Sequence, residues 1–382
     1  MTKIRRWVLA ISICVGIIGL PVPVMADDTR NNTQMEEILD ELDFDAVSSQ
    51  TEDVPHAPDF KELVKTLVQS GTDGLDGEAI CTFVADLFFY EMAAAKPMFL
   101  QIAALALLFA LFGKVLITRQ AYVSQIGFFV VYTGIILLLL QSFSLISDVV
   151  QAGIDRTVSF MTAFVPMYAT TLFISGNALS AGAFYELTFG VIYLLELGMK
   201  FLFLPGIHVC VLLLLMDNLF EETRLSKMAQ FVEDGIRLLL KGGLAAVLGI
   251  NVVQSLIAPA KDRLSTNGVY HSLSAVPGVG NTFGSAAEIL LGCGILIKNS
   301  VGTAALILLV VVSFTPLCKV FCFSVMYRFT AALLAPVSDS RIAQCVQAAA
   351  KGCALFLTLQ LDALLLFFIT ISMISASTSF IY

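Results

Sequence analysis

The sequence predicts an all-α polytopic membrane protein with seven to nine transmembrane helices. Of its 382 residues, 58% are hydrophobic and only 14% are charged, whereas soluble domains carry about 25% charged residues. Long apolar runs interrupted by proline and glycine recur along the chain, and a polar sequence of eight residues occurs in two similar copies. These observations predict Pro/Gly-broken helices arranged in an internal duplication.

The N-terminus has the pattern of a secretory signal peptide over residues 1–26. Lys3, Arg5 and Arg6 precede a short apolar run, and small residues up to Ala26 form a cleavage site. An uncleaved signal anchor is the alternative. In either case, residue 27 onward is expected outside the cytoplasm.

Residues 27–96 form an acidic extracytoplasmic segment. They include 17 acidic and four basic residues, and their apolar positions predict three short amphipathic helices. This segment either docks on a partner or the membrane surface, or is a solvated spacer. The rest of the chain is nearly neutral and carries no basic stripe, so no nucleic-acid partner is expected.

The segment 97–150 is expected to hold the first two transmembrane helices, Met98–Ile117 and Tyr122–Ser147. Each is long enough to cross a hydrocarbon core of about 30 Å. Lys114 and Arg119 follow the first span, which agrees with a cytoplasmic loop there. An outside loop is then expected over 147–156.

The polar octet appears as SKMAQFVE at 226–233 and as SRIAQCVQ at 340–347. Each copy lies in the same order of parts, and Pro166 and Pro205 precede Pro277 and Pro316 by 111 residues. We therefore expect a membrane repeat A over 155–258 and a repeat B over 266–376. Chance similarity between leucine-rich runs is the competing explanation.

Matching broken helices are a sequence indicator of a transport site. A helix interrupted in hydrocarbon exposes N–H and C=O groups, which protein or water has to satisfy, and repeat folds place substrate sites at such interruptions. The alternative is that these small residues only allow close helix packing. The candidate cavity residues are Pro166, Gly176, Asn177, Gly182, Pro277, Gly278, Gly280, Asn281 and Gly284.

A second set of candidates consists of ionisable residues within apolar runs, where an isolated charge is costly. Glu196 and Lys200 are four residues apart, which suits a self-neutralised helical pair. Asp362 has no local cation, and we expect a functional or structural contact with Arg328 or Lys319. His208 is expected to be a packing residue. The candidate intramembrane polar residues are Glu196, Lys200, Arg328 and Asp362.

Enzyme signatures are missing from the sequence. It contains no HExxH, GxSxG or GxxxxGK[ST] pattern, and none of its eight cysteines forms a CxxC pair. We therefore expect no catalytic residues, no metal site and no cofactor. Any energy for transport has to come from a partner or a gradient.

Four stretches of the sequence are distinctive: ILDELDFDAV, FMTAFVPMYATTLFISG, VPGVGNTFGSAAEILLGCGILIKNSVG and YRFTAALLAPVSDSRI. Together they resemble the stage III sporulation protein AE family of endospore-forming bacteria. The resemblance implies a multi-pass protein of the mother-cell-derived membrane around the forespore. It implies a place in a channel or secretion-like complex with other membrane proteins, ring-forming proteins and a separate cytoplasmic ATPase.

The resemblance leaves three functions open. The first is a permease-like membrane core required for spore development, the second is a non-conducting scaffold, and the third is an autonomous secondary transporter. The charged segments 217–241 and 338–352 are expected to be cytoplasmic docking faces. Their candidate docking residues are Lys227, Gln230, Arg341 and Gln344.

Overall fold

The computed structural model shows a bundle of long helices. It describes residues 44–50, 58–70, 121–218, 225–274, 280–336 and 340–379, with single positions between 39 and 42 and between 89 and 104. Residues 69–70, 121–129, 131, 263–274, 280–291 and 379 are described by backbone alone. The predicted signal peptide and most of the predicted first span lie outside the described residues.

The described helices are numbered in chain order. Two short helices come first, α1 (Asp45–Ser48) and α2 (Phe60–Ser70). The bundle comprises α3 (Ala121–Ile174), α4 (Ala178–Gly198), a π-helical turn (Met199–Phe203), α5 (Leu204–Asp217), α6 (Ser226–Ser274), α7 (Gly280–Leu334) and α8 (Ser340–Ser379). Helix α7 lies at the centre and packs most extensively against α8 and α3.

Five helices in the described part of the chain are long and apolar enough to cross a membrane. They are Tyr132–Ile174, Ala178–Asp217, Ser226–Asp262, Gly292–Leu334 and Ser340–Thr378. The fold is therefore all-α with five membrane-spanning candidates among these residues. Each is 37 to 43 residues long, or about 60 Å at 1.5 Å per residue.

Helix α3 runs without interruption through 147–156, where the sequence analysis expected an outside loop. The physical reason is that this stretch keeps one helical face. Val150 and Ile154 are buried, whereas Asp148 and Asp155 are exposed on the opposite side. A charged stripe thus replaces the expected loop. The expected span Tyr122–Ser147 is therefore part of the longer helix α3.

Two glycines allow the central helices to approach closely. A methyl group at Gly153 of α3 would lie 2.7 Å from Cβ of Pro316 on α7. One at Gly352 of α8 would lie 2.4 Å from Cγ2 of Val211 and 2.6 Å from the ring of Phe143. These positions hold α3, α5, α7 and α8 together without space for any side chain.

Both copies of the octet begin a helix, since α6 starts at Ser226 and α8 starts at Ser340. The rods before them also share a proline, Pro205 in the first and Pro316 in the second. The two units differ in detail, however. The π-helical turn precedes Pro205 only, while α7 is described as a continuous α-helix through Pro316.

Helix α2 of the acidic segment packs on the bundle. Its apolar face, including Phe60, Val64 and Leu67, is buried, and α2 contacts α7. The ring of Phe60 meets the ring of Phe164 edge-on, with centroids 6.4 Å apart. Part of the acidic segment is therefore integrated into the helical core.

The two Lys-Gly pairs that follow the octets provide a matched test of packing. We expect Gly352→Ala to destabilise the protein by about 1–3 kcal/mol, because the methyl group overpacks a filled contact. Gly242→Ala is the control, since nothing lies within 4 Å of a methyl group there and alanine favours a helix by about 1 kcal/mol.

The measurement is thermal unfolding in detergent, followed with a thiol-reactive fluorogenic dye. Six buried cysteines report unfolding in the described part of the chain. Equal melting midpoints for the two variants would show that the Gly352 contact does not constrain the bundle.

Candidate functional site

The first Pro/Gly segment, 163–182, ends α3 in a tight turn. Helix α3 passes through Pro166 and stops at Ile174. Gly176 has a φ of 80°, the Asn177 N–H donates to Leu172 O at 2.9 Å, and the Gly176 N–H donates to Phe173 O at 3.0 Å. This is a Schellman motif, which favours glycine because its left-handed backbone has no steric cost there.

The start of α4 is capped from another helix. Asp262 of α6 accepts hydrogen bonds from the backbone N–H groups of Leu179 at 2.8 Å and Ser180 at 2.9 Å, and from Ser180 Oγ at 2.6 Å. The Asn177 side chain makes no cap of its own. The Asp262 carboxylate is therefore both the hydrogen-bond partner and the favourable charge for this helix N-terminus.

The second Pro/Gly segment, 275–294, meets this turn at its last residue. A methyl group at Gly294 of α7 would lie 3.1 Å from Cα of Ser175 and 3.2 Å from Ile174 O. The backbones of the two segments are thus in direct contact. We call Ser175, Gly176, Asn177, Ser180, Asp262 and Gly294 the turn cluster.

The turn cluster is polar yet enclosed. Asn177 is fully buried and its Nδ2 donates to Ser175 O at 3.0 Å. Its Oδ1 atom has no hydrogen-bond partner among the described residues. Further along α7, the fully buried Lys298 donates from Nζ to Thr378 Oγ1 on α8 at 2.9 Å. Polar groups therefore continue from the turn along the α7–α8 interface.

The remaining candidate residues of the two broken segments are not part of the turn cluster. Some of them lie where the structure describes only the backbone or nothing at all. Pro166 and Gly182 are exposed, and a methyl group at Gly182 would meet nothing within 4 Å. Pro277 and Gly278 lie outside the described residues. Gly280, Asn281 and Gly284 lie in the first turns of α7, which are described by backbone alone.

A second feature, the π cavity, lies between α3 and the π-helical turn. Its volume is about 490 Å³. The polar lining residues are Gln151, Asp155, Glu196, Lys200 and His208. Glu196 and Lys200 line the same cavity, but the structure records no ion pair within 4.0 Å between them. Their expected self-neutralisation is therefore not seen.

The local sequence explains the π-helical turn. Pro205 has no N–H to donate to the preceding turn, and the Leu204 N–H instead bonds to Met199 O, five residues back. This wider winding places the ring of Phe203 over Gly198, where a methyl group would lie 2.9 Å from the ring. Such π-helical turns occur frequently at functional sites.

Asp362 is half-buried on α8. Arg328, one of its two expected partners, is exposed on α7. His208 packs as expected, with its ring centroid 5.4 Å from that of Phe143 and its Nδ1 2.8 Å from Leu204 O.

The two octets present different faces to solvent. In the first, Lys227 and Gln230 are exposed, together with Phe231 at 80%. In the second, Gln344 is exposed and Arg341 is half-buried. Cys345, which corresponds to Phe231, is buried with its Sγ 2.8 Å from the hydroxyl of Tyr132. The first octet thus has the larger free surface.

Sequence reasoning missed Asp262 and Lys298. Asp262 lies between the expected repeats A and B, and α6 continues past it to Ser274. Its role depends on a helix start 83 residues away, which no local spacing indicates. Lys298 stands out as a cation in an apolar run, and that signal could have identified it.

The helices and their enclosed polar contacts define an all-helical membrane protein with several spanning helices. No three His, Cys, Asp or Glu side chains in the described parts of the chain are placed to hold a metal.

Comparison with known proteins gives the family. The model of the family "Stage III sporulation protein AE" matches residues 58–378, so the chain belongs to that family, which implies a role in sporulation. It is 23% identical over 257 residues to stage III sporulation protein AE of Bacillus subtilis (strain 168). The match covers 67% of this chain and 64% of that relative. No solved structure matches the chain.

The cap on α4 generates a stability prediction. We expect Asp262→Ala to lower the free energy of unfolding by about 1.5–3 kcal/mol, because buried N–H groups lose a charged acceptor. Asp262→Asn keeps one acceptor oxygen and is expected to lose less. Thermal unfolding with the thiol-reactive dye measures both.

Asp148→Ala is the matched control, since Asp148 is an exposed aspartate on the neighbouring helix α3. If the Asp262 and Asp148 variants melt together, the cap contributes nothing to the fold.

Proposed function

We propose that this chain is a permease-like membrane core component of the mother cell–forespore channel or secretion-like complex, required for spore development. Family membership and the five spanning candidates support this proposal. In this proposal the chain lies in the mother-cell-derived membrane around the forespore, with residues 27–96 on the extracytoplasmic side.

The observation that carries the proposal is the turn cluster. A helix-breaking turn inside an apolar bundle requires partners for its backbone, and here Asp262 and the Schellman bonds supply them. Asn177 Oδ1 and Ser300 Oγ remain buried without a hydrogen-bond partner among the described residues. Unsatisfied polar groups of this kind favour a site that admits water or a solute in another state.

The internal duplication belongs to the same proposal. Its support is that α6 and α8 both begin at the repeated octet, and that each follows a proline-containing rod. A duplicated unit suits a permease-like core, because repeat folds place the substrate site where their discontinuous helices meet.

The partners in this proposal are membrane and ring-forming proteins of the stage III complex and a separate cytoplasmic ATPase. The start of α6 is the better docking surface, since it exposes Met228 and Phe231 beside Lys227 and Gln230. An apolar pair flanked by polar residues is typical of a protein interface.

A non-conducting scaffold is the second candidate, and one observation favours it. Gly294 packs directly on the backbone of Ser175, so the described parts of the two broken segments leave no space between them at this contact. The two functions differ in whether water reaches the turn cluster while the complex is active.

Cysteine accessibility separates these two functions. For a permease-like core we expect Asn177→Cys and Asp362→Cys to react with a membrane-impermeant thiol reagent in sporulating cells, because both positions would contact water during transport. The background chain carries Cys81→Ser, and labelling is read by mass shift.

Val301→Cys is the inert control, since Val301 is a fully buried apolar residue of α7. Asp148→Cys, at an exposed position, is the positive control. No labelling of 177 and 362 in cells that complete sporulation would exclude conduction and leave the scaffold.

The docking surface is tested by disulfide crosslinking to the ATPase. We expect a crosslink from Lys227→Cys and a weaker one from Arg341→Cys, because the second octet is the more buried. Ala229→Cys, buried at 1% exposure, is the negative control. If neither 227 nor 341 forms an adduct, the octets are not the contact with the ATPase.

A further inference from the structure

The π cavity has the chemistry of a lipid-headgroup site. We propose that it binds the headgroup of a zwitterionic phospholipid, with the headgroup ammonium between Asp155 and Glu196 and the phosphate on Lys200. The proposal is independent of whether the chain conducts a solute.

The charges of the cavity carry the first part of the argument. Asp155, Glu196 and Lys200 line one cavity of about 490 Å³, and within the described part of the chain none of the three makes an ion pair or a side-chain hydrogen bond. Two carboxylates and one ammonium facing the same space complement a ligand that carries a cation and an anion together. The volume falls within the usual range for small-molecule sites.

The walls of the cavity are apolar, which favours an amphiphile. The apolar lining residues are Ile154, Val158, Met199, Leu204, Pro205 and Val209. The helix turns that carry Glu196 and Lys200 also carry exposed apolar side chains, with Leu197 exposed at 44% and Phe201 at 75%. An acyl chain leaving the cavity would therefore run along an apolar surface.

The cavity lies near the middle of the two helices that carry its charged residues. Asp155 lies near the middle of Tyr132–Ile174, and Glu196 lies near the middle of Ala178–Asp217. These helices are about 60 Å long, roughly twice the hydrocarbon thickness. When one half of the bundle lies in hydrocarbon, its middle lies at the headgroup layer.

The test is native mass spectrometry of the full chain in mixed micelles that contain phosphatidylethanolamine and phosphatidylglycerol. We expect the wild type to retain phosphatidylethanolamine preferentially. The double variant Asp155→Asn, Glu196→Gln should lose that preference about tenfold, since a hydrogen bond to a charged group contributes about that factor. Lys200→Gln should weaken retention of both lipids, because both carry the phosphate.

Glu186→Gln is the matched control, since Glu186 is exposed on α4 but does not line the cavity. It should retain phosphatidylethanolamine like the wild type, and all variants should melt at the wild-type temperature because the changed side chains are exposed. Equal retention by the double variant overturns the proposal. So does displacement of the lipid by an equal concentration of soluble phosphoethanolamine, which would assign the cavity to a free solute.

Discussion

A helix that ends inside an apolar bundle leaves backbone groups without partners, and the whole arrangement depends on how one such end is satisfied. The carbonyls at the end of α3 are bonded within the Schellman turn at Gly176, and the N–H groups at the start of α4 are bonded by Asp262. The acceptor comes from α6, so the turn exists only when three helices are assembled. The local geometry of this turn and the packing of the three helices therefore depend on each other.

The same logic applies to the close contacts. Gly153 and Gly352 each touch a neighbouring helix so tightly that a methyl group has no space, and a methyl group at Gly294 would be tight at 3.1 Å from Cα of Ser175. In an apolar environment, where the hydrophobic effect does not drive helices together, such close approach is the main source of packing energy. The repeated Lys-Gly pair shows that the need for glycine depends on its place in the bundle. Gly352 is enclosed by other helices, whereas nothing lies within 4 Å of a methyl group at Gly242.

The sequence predicted the class of fold well and its interruptions less well. Hydropathy and length identified a multi-helix membrane protein because those properties are local. The expected loop at 147–156 was missed because Val150 and Ile154 continue a buried face beneath exposed charges. Proline is a weaker helix breaker here than the sequence analysis assumed, since α3 and α7 continue through Pro166 and Pro316. Gly176, named from the sequence as a candidate broken-helix residue, has a φ of 80° at the end of α3.

The candidate residues named from the sequence lie in two places. Asn177, named from the first broken segment, lies in the turn cluster, and Glu196 and Lys200, named from their spacing, line the π cavity. The role of Asp262 was not predictable, because its hydrogen bonds join distant parts of the chain. Their partners are specified by the assembled bundle alone.

The packing of α2 couples this part of the N-terminal acidic segment mechanically to the helical bundle. Phe60 is fully enclosed against Phe164 of α3, and α2 also contacts the central helix α7. A protein that binds α2 therefore pulls on α3 and α7 rather than on a loose tether. Force or binding energy applied to α2 reaches the same two helices that meet at the turn cluster.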